Sequence, residues 1–292
     1  MDYSIAKFIL RTEGPHSDIA SCGLQCFKPF EVEHDASIEP TMLLQMDSQA
    51  EKLKHPAAKV IHSFEFEQNY ATGELLRYAT GYIFKMVRED KIFILVKEDG
   101  SNIVDSNLGH YAEADPSLVR FGIWIMFGII IAPLGAIAIH SSVAVKDNEG
   151  VLCLGESGTG KSTHTRLWRE NIEGARLLND DSPIIRMIDG KCIVFGSPWS
   201  GKTHCYVNKW VPVRALMRLS QAPHNKIRRL PALAAIGAIL PSCPPAFAYD
   251  NALQDHICNT VSDIISCTPV YHLECLPDAE AAELSYSTIF NR

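Results

Sequence analysis

The sequence predicts an α/β domain over residues 116–292, preceded by a β-rich N-terminal domain over residues 1–115. Residues 1–115 contain short runs rich in β-branched and aromatic side chains, and polar turns such as Arg88-Glu89-Asp90 separate these runs. After residue 115, apolar strand-like runs alternate with helical patterns, which is typical of an α/β domain. We therefore place the domain boundary near residue 115, where the periodicity changes.

The individual strands and helices follow from the same periodicities. In the first domain we predict strands over residues 4–10, 41–46, 60–66, 79–87 and 91–96. In the second domain we predict strands over residues 136–145, 151–154, 175–178, 192–195 and 270–275. Between them we predict a helix ending near residue 131 and further helices over residues 163–171, 232–240, 249–266 and 279–286.

Residues 121–139 form a stretch of 19 residues without a charge, which is long enough to cross a membrane. Pro133-Leu134-Gly135 interrupts this stretch, no second hydrophobic segment exists, and the flanks lack a one-sided basic cluster. We interpret it as a buried helix followed by a strand and expect no membrane contact. A membrane-tethered protein is the alternative.

The cysteines and the first residues bear on the compartment. The nine cysteines are scattered without a CxxC pair, and the first residues lack the organisation of a signal peptide. We therefore expect reduced thiols in a cytoplasmic protein.

The charge is distributed unevenly. The net charge of −7 argues against general binding to nucleic acid, so we expect no nucleic-acid partner. Residues 190–249, however, contain eight Lys and Arg residues and no Asp or Glu. This window indicates either an anionic ligand or a basic surface that offsets acidic neighbours.

A phosphate-binding motif lies between the predicted strand 151–154 and the predicted helix 163–171. It fits the pattern G-x-x-x-x-G-K-[ST] and consists of Gly155, Glu156, Ser157, Gly158, Thr159, Gly160, Lys161, Ser162 and Thr163. Its glycines let successive N–H groups face one point, and the helix N-terminus adds its positive dipole end. The pattern predicts ATP phosphates on the loop, with Lys161 at the β- and γ-phosphates and the Ser162 hydroxyl on Mg²⁺.

A second match, residues 196–203, carries Pro198 and the bulky Trp199 where the backbone must approach a phosphate. A β-branched and aromatic run follows it, so no helix dipole is available. We expect a loop facing the γ-phosphate or the acceptor, with Lys202 as a cation and Trp199 as a candidate substrate contact. The alternative is a turn with a solvated lysine.

Three further side chains complete the predicted site. Asp180 and Asp181 lie just after the predicted strand 175–178. Adjacent residues of an extended chain point to opposite sides, so one can hold metal and the other can act as a base. A helix cap or turn is the alternative. His140 lies in the strand that leads by a hairpin to the motif, as a candidate catalytic residue or a core histidine.

The motif, the acidic pair and His140 together resemble the P-loop kinases related to HPr kinase/phosphorylase and, more distantly, ATP-dependent phosphoenolpyruvate carboxykinase, over roughly residues 115–292. The GSPW loop and the RLSQAPHNKI and PVYHLECLPD segments are also similar. The resemblance implies ATP on residues 155–161, Mg²⁺ on Ser162, a base among Asp180 and Asp181, and His140 as their active-site partner. It also implies a homo-oligomer.

The chain departs from these families in two places. GSPWSGKT stands where HPr kinases carry a glycine-rich signature, and it offers no Glu for Mg²⁺. The metal-binding Lys/His/Asp set of the carboxykinases is not recognisable.

We therefore predict an ATP- and Mg²⁺-dependent kinase acting on a hydroxyl of a protein, peptide or small molecule, with catalytic residues His140, Lys161, Asp180, Asp181 and Lys202. Asp180 and Ser162 are the expected metal ligands, and Arg218 and Arg228 are candidates for binding an anionic acceptor. A non-catalytic ATP-binding regulator is the alternative, and a carboxykinase-like enzyme is a more distant one.

Overall fold

Two-residue turns between β-branched runs build the first part of the chain into a sheet. The structure is a computed structural model and describes residues 1–55, 57–66, 70–201 and 203–291. The chain divides into two units, Met1–Leu134 with Ala248–Asn251 and Gly135–Phe247 with Ala252–Arg292. The described residues form a mixed α/β fold, as predicted from the sequence.

The described residues of the first unit form a nine-stranded sheet. The strands are β1 Asp2–Ile5, β2 Phe8–Glu13, β3 Glu31–Val32, β4 Met42–Gln45, β5 Lys59–Phe66, β6 Ala71–Tyr78, β7 Gly81–Arg88, β8 Lys91–Glu98 and β9 Ile103–Ser106. Their order in the sheet is β3-β1-β2-β4-β9-β8-β7-β6-β5. Strand β4 lies parallel to β2 and β9, and the other described pairs are antiparallel.

One predicted strand of this unit is a hairpin instead. The prediction of a single strand over residues 4–10 is wrong, because Ala6 and Lys7 adopt left-handed conformations (φ 52° and 62°) and turn β1 into β2. The usual Asn-Gly or Asp-Gly signal of such a turn is missing from the sequence, so periodicity alone did not indicate it.

Helix α1, Pro116–Ile131, belongs to the first unit, where it packs against β7 and β8. The buried Asp115 precedes it and pairs with Arg88 and, at 2.6 Å, with Lys91. Because α1 packs on this sheet, the division between the units falls after Leu134, whereas we predicted it near residue 115. With the short turn that follows, α1 is long and apolar enough to cross a membrane, yet 67% of its most apolar window is buried. This burial favours a helix of a soluble core.

The second unit contains a second sheet. Its strands are β10 Ala136–Ala138, β11 Ser141–Lys146, β12 Glu149–Leu154, β13 Arg176–Asp181, β14 Ile184–Ile188, β15 Lys191–Phe195, β16 Trp210–Gln221, β17 Lys226–Arg229 and β18 Val270–Cys275. Their order is β10-β14-β15-β16-β12-β11-β13, and β18 joins the sheet by pairing with β16 and β17. Its helices are α2 Lys161–Asn171, α3 Ala232–Ile239, α4 Asn251–Cys267 and α5 Ala279–Phe290.

The predicted strand over residues 136–145 is divided at His140. Strand β10 pairs with β14 at one edge of the sheet, whereas β11 pairs with β12 and β13 near the opposite edge. The chain therefore passes from one edge region of the sheet to the other at this residue. His140 therefore lies at a strand crossover and not within a continuous strand.

Helices α2 and α5 cover one face of this sheet. Trp168 of α2 is fully buried there among apolar side chains of β12, β16 and β18, including Cys153, Met217 and Tyr271. This packing holds α2, and with it the loop at its N-terminus, against the end of β12.

Candidate functional site

The loop Gly155–Gly160 joins the carboxyl end of β12 to α2, as its motif predicts. Three of its glycines have left-handed φ angles: 148° at Gly155, 81° at Gly158 and 104° at Gly160. A Cβ at Gly155 would also lie 2.6 Å from Thr159 Oγ1, which is too close for any other residue. The curved backbone and the α2 N-terminus form the geometry that binds phosphates in proteins.

Lys161 is the first residue of α2 and turns its side chain into this loop. Its side chain is buried, and Nζ donates to the carbonyl oxygens of Gly155 (2.8 Å) and Glu156 (3.0 Å). Burial lowers the pKa of the ammonium group, and the carboxylates of Asp181 and Asp180 partly oppose this effect. Ser162 follows in the same turn and is exposed.

The strand order brings three separate segments to the same edge of the sheet. Strand β11 lies antiparallel between β12 and β13, and Ser141 is paired with both Leu154 and Asp181. The amino end of β11, with His140, therefore lies between the carboxyl ends of β12 and β13. The loop Gly155–Gly160, His140 and the acidic pair meet at this edge.

His140 and Asp181 face each other there. His140 Nε2 lies 3.6 Å from Asp181 Oδ1, and both side chains are partly open to solvent. Burial lowers the pKa of His140, the charge of Lys161 lowers it further, and Asp180 acts in the opposite direction. The imidazole is therefore mostly neutral near pH 7.

The two aspartates occupy different environments, which follows from the alternation of β13. Asp180 is 4% exposed, whereas the side chain of Asp181 is 42% exposed. Among the described residues, no group of three or more His, Cys, Asp and Glu side chains could hold a metal ion. A metal at Asp180 therefore needs oxygen ligands from elsewhere, such as phosphates.

The loop over residues 196–201 lies against the acidic pair. The Gly201 N–H donates to the Asp180 carbonyl (2.7 Å), and a Cβ on Gly201 would lie 2.8 Å from that oxygen. Trp199 is 4% exposed, so its indole is not a surface contact for a substrate. Lys202 lies outside the described residues. Beyond it β16 begins at Trp210, and the described residues between them form no helix.

Asn179, which no sequence motif marks as functional, holds this loop in place. Its side chain is fully buried, and Nδ2 lies within 3.3 Å of Ser197 O, Ser197 Oγ and Trp199 O. Its Oδ1 accepts the N–H of Asp181 at 3.1 Å. The only available signal was its position beside the two aspartates.

Arg218 and Arg228, the residues predicted to bind an anionic phosphoryl acceptor, lie in one row of the sheet. Arg218 on β16 and Arg228 on β17 are both paired with His272 on β18. Arg218 lies 3.5 Å from Glu156 of the loop Gly155–Gly160 and donates to Ala238 O (3.3 Å). Arg228 is more exposed and lies 3.3 Å from Nδ1 of His272.

His272 was not predicted from the sequence. Its other nitrogen, Nε2, lies 2.8 Å from Ser220 Oγ. Because an arginine only donates, Nδ1 accepts from Arg228 and Nε2 carries the proton. Neutral His272 therefore positions the Arg228 guanidinium.

No family model and no curated protein matches the chain. Among solved structures, it is similar to the Hpr(Ser) kinase/phosphatase from Coxiella burnetii, with 16% sequence identity and a TM-score of 0.32. The similarity covers 52% of this chain and 87% of that one. Any functional conclusion for this chain rests on its own site residues and their contacts.

Proposed function

We propose that this protein is an ATP- and Mg²⁺-dependent kinase that transfers the γ-phosphoryl group to a hydroxyl of a protein, peptide or small molecule. One observation carries the proposal. Lys161 in the phosphate-binding loop, the His140–Asp181 pair and the buried Asp180 converge at one edge of one sheet. Phosphoryl transfer uses a cation at the phosphates, a carboxylate for the metal ion and a residue that orients or deprotonates the nucleophile, and this edge supplies a candidate for each role.

The phosphates would bind to the N–H groups of residues 155–160 and to Lys161. The Lys161 ammonium now donates to two carbonyl oxygens of the loop. Phosphate oxygens are stronger acceptors, so a bound triphosphate would draw these donors to itself. The Arg218 guanidinium, beside Glu156, is placed to add a further positive charge near the loop.

The residues present fit a magnesium ion. Asp180 and Ser162 supply hard oxygen atoms, and Mg²⁺ binds to a few such ligands together with waters and phosphate oxygens. When bound, the ion neutralises phosphate charge.

Asp181 is the proposed base because its carboxylate is open to solvent at the same edge. The acceptor oxygen attacks the γ-phosphorus and forms the new P–O bond, while the bond to the β-phosphate oxygen breaks and ADP leaves. The acceptor proton passes to an Asp181 carboxylate oxygen. His140 orients this carboxylate, and Lys202 and Arg228 are proposed cations for the phosphoryl group and an anionic acceptor.

The test is labelling with γ-radiolabelled ATP in a cell lysate and a metabolite pool, followed by mass spectrometry of the labelled species. Lys161→Ala is expected to lower transfer at least about a hundredfold, because it removes a charge that stabilises the transferring group. Asp181→Asn is expected to lower it similarly. Lys191→Ala and Asp255→Asn are matched controls at exposed positions and should leave transfer unchanged. Unchanged turnover in both site variants would contradict the mechanism.

A non-catalytic ATP sensor is the second candidate. Among the described carboxylates next to the loop, Asp180 alone is buried, and no cluster of described side chains completes a metal site. A protein that binds ATP without transferring its phosphoryl group does not need a complete metal site. A sensor would bind ATP tightly and label no acceptor in the same experiment.

A further inference from the structure

A cavity of about 550 Å³ opens beside the phosphate-binding loop, on the side covered by α2 and α5. Gly158, Thr159 and Gly160 form one wall, and Leu167, Leu219 and Leu276 contribute apolar surface. Its size lies within the range of small-molecule sites, roughly 300–1,000 Å³. The proposed mechanism leaves this cavity without a role.

The strand directions place the cavity where ligands bind in α/β sheets. Strands β12, β16 and β18 are parallel to one another, and the cavity lies beyond their carboxyl ends. Gln221 and Cys275, the last residues of β16 and β18, line it. Ligands of α/β sheets bind in such crevices.

We propose that the adenine base and ribose of the nucleotide bind in this cavity. The inference rests on the proposed function, because it takes the phosphates to lie on the adjoining loop. The leucine side chains offer apolar contact to a flat base. Gln221 Nε2 already donates to Gly158 O (3.2 Å), which leaves its Oε1 to accept from the exocyclic amine of adenine.

The same surroundings select against guanine. Guanine presents two neighbouring N–H donors that a carboxylate matches, and none of the described residues lining the cavity is acidic. Asp278 follows the lining residue Pro277, but its Oδ1 accepts from the Ala281 N–H (2.9 Å) and from Asn225 Nδ2 (3.1 Å). A guanine that engaged both oxygens of this carboxylate would compete with these two hydrogen bonds, one of which caps α5.

Alkylation of the wild-type protein tests the placement directly. Cys275 lines the cavity, whereas Cys258 is exposed on α4 and provides an internal control. Both cysteines are labelled with a maleimide at mildly alkaline pH in the presence of ATP, GTP or tripolyphosphate. The labelling rate of each cysteine is then measured by mass spectrometry. At ten times its dissociation constant ATP should slow the labelling of Cys275 about tenfold and leave Cys258 unchanged. Tripolyphosphate, which lacks a base, should leave both rates unchanged.

A filled cavity provides the second test. Ala222 lines the cavity, and Ala222→Trp should weaken ATP binding roughly tenfold or more while tripolyphosphate binds as before. Ala234→Trp, at an exposed position of α3 that does not line the cavity, should change neither affinity.

The outcomes separate the inference from the proposed function. If ATP and tripolyphosphate both bind but Cys275 is not protected and Ala222→Trp has no effect, the inference is overturned and the kinase proposal stands. Equal binding and equal protection of Cys275 by GTP overturn the assignment of adenine. If neither ATP nor tripolyphosphate binds, the proposed function and the inference both fail.

Discussion

At the scale of single residues, the proposed chemistry depends on the His140–Asp181 pair. The 3.6 Å separation is long for a hydrogen bond, and we expect it to shorten when an acceptor binds. If His140 acts by orienting Asp181, the two side chains work as a unit. His140→Gln and Asp181→Asn should then each reduce the transfer rate, and the double variant should be little worse than Asp181→Asn alone.

The measurement is a double-mutant cycle on kcat, with the affinity for ATP measured in parallel. ATP affinity should change little, because the loop residues proposed to hold the phosphates are intact. Effects on kcat that multiply in the double variant would show that the two residues act independently, which would contradict a positioning role for His140.

At the scale of structural elements, Asn179 connects β13 to the loop over residues 196–201. Asn179→Ala removes the amide group that donates to Ser197 and Trp199. The buried oxygen atoms of these two residues then lose one of their hydrogen-bond donors. We expect the free energy of unfolding to fall by about 1–3 kcal/mol, and transfer to fall as well because the N–H of Asp181 loses its acceptor. Urea denaturation measures the first effect. Asn171→Ala, at the exposed end of α2, should cost less.

The β1–β2 hairpin contains a buried ion pair that makes stability depend on pH. Arg11 donates to both carboxylate oxygens of Asp2 at 2.8 Å, and this hydrogen bonding lowers the pKa of Asp2 below 3.8. A carboxyl group whose pKa is lowered by folding stabilises the folded state at pH values above 3.8. This stabilisation is lost as the pH falls through the lowered pKa of the folded state. Asp2→Asn leaves the Arg11 charge buried, so it should cost about 3–5 kcal/mol at neutral pH.

The check is urea denaturation of the wild type and the variant across the acidic range. The difference between their free energies of unfolding should become smaller below pH 3.8, because protonation of Asp2 removes the same ion pair from the wild type. Asp90→Asn, in an exposed turn, is the control and should follow the wild type. A constant difference at every pH would contradict the assignment to Asp2.

At the scale of the whole molecule, the sequence predicted features that depend on neighbouring residues better than features that depend on tertiary contacts. The loop Gly155–Gly160 and the turn at Arg88-Glu89-Asp90 follow from glycine and turn chemistry, which acts within a few residues. The crossover at His140 and the role of His272 depend on which strands become neighbours, and one sequence does not specify that pairing. The fold class could therefore be predicted, whereas the contacts around His140 and Asn179 required the structure.

The interpretation of the apolar stretch concerns the whole molecule, because a membrane span and a core helix imply different proteins. Gly122 of α1 is buried, and a Cβ there would lie 2.9 Å from Leu95 Cδ1 and 3.1 Å from Met86 Cε. Gly237 of α3 is exposed with nothing within 4 Å of such a Cβ. Both Gly→Val substitutions place a β-branched residue in a helix, so their difference reports packing. In a soluble core, Gly122→Val should cost about 1–3 kcal/mol more than Gly237→Val in urea denaturation of detergent-free protein. Equal costs, or protein recovered only with detergent, would contradict the core interpretation.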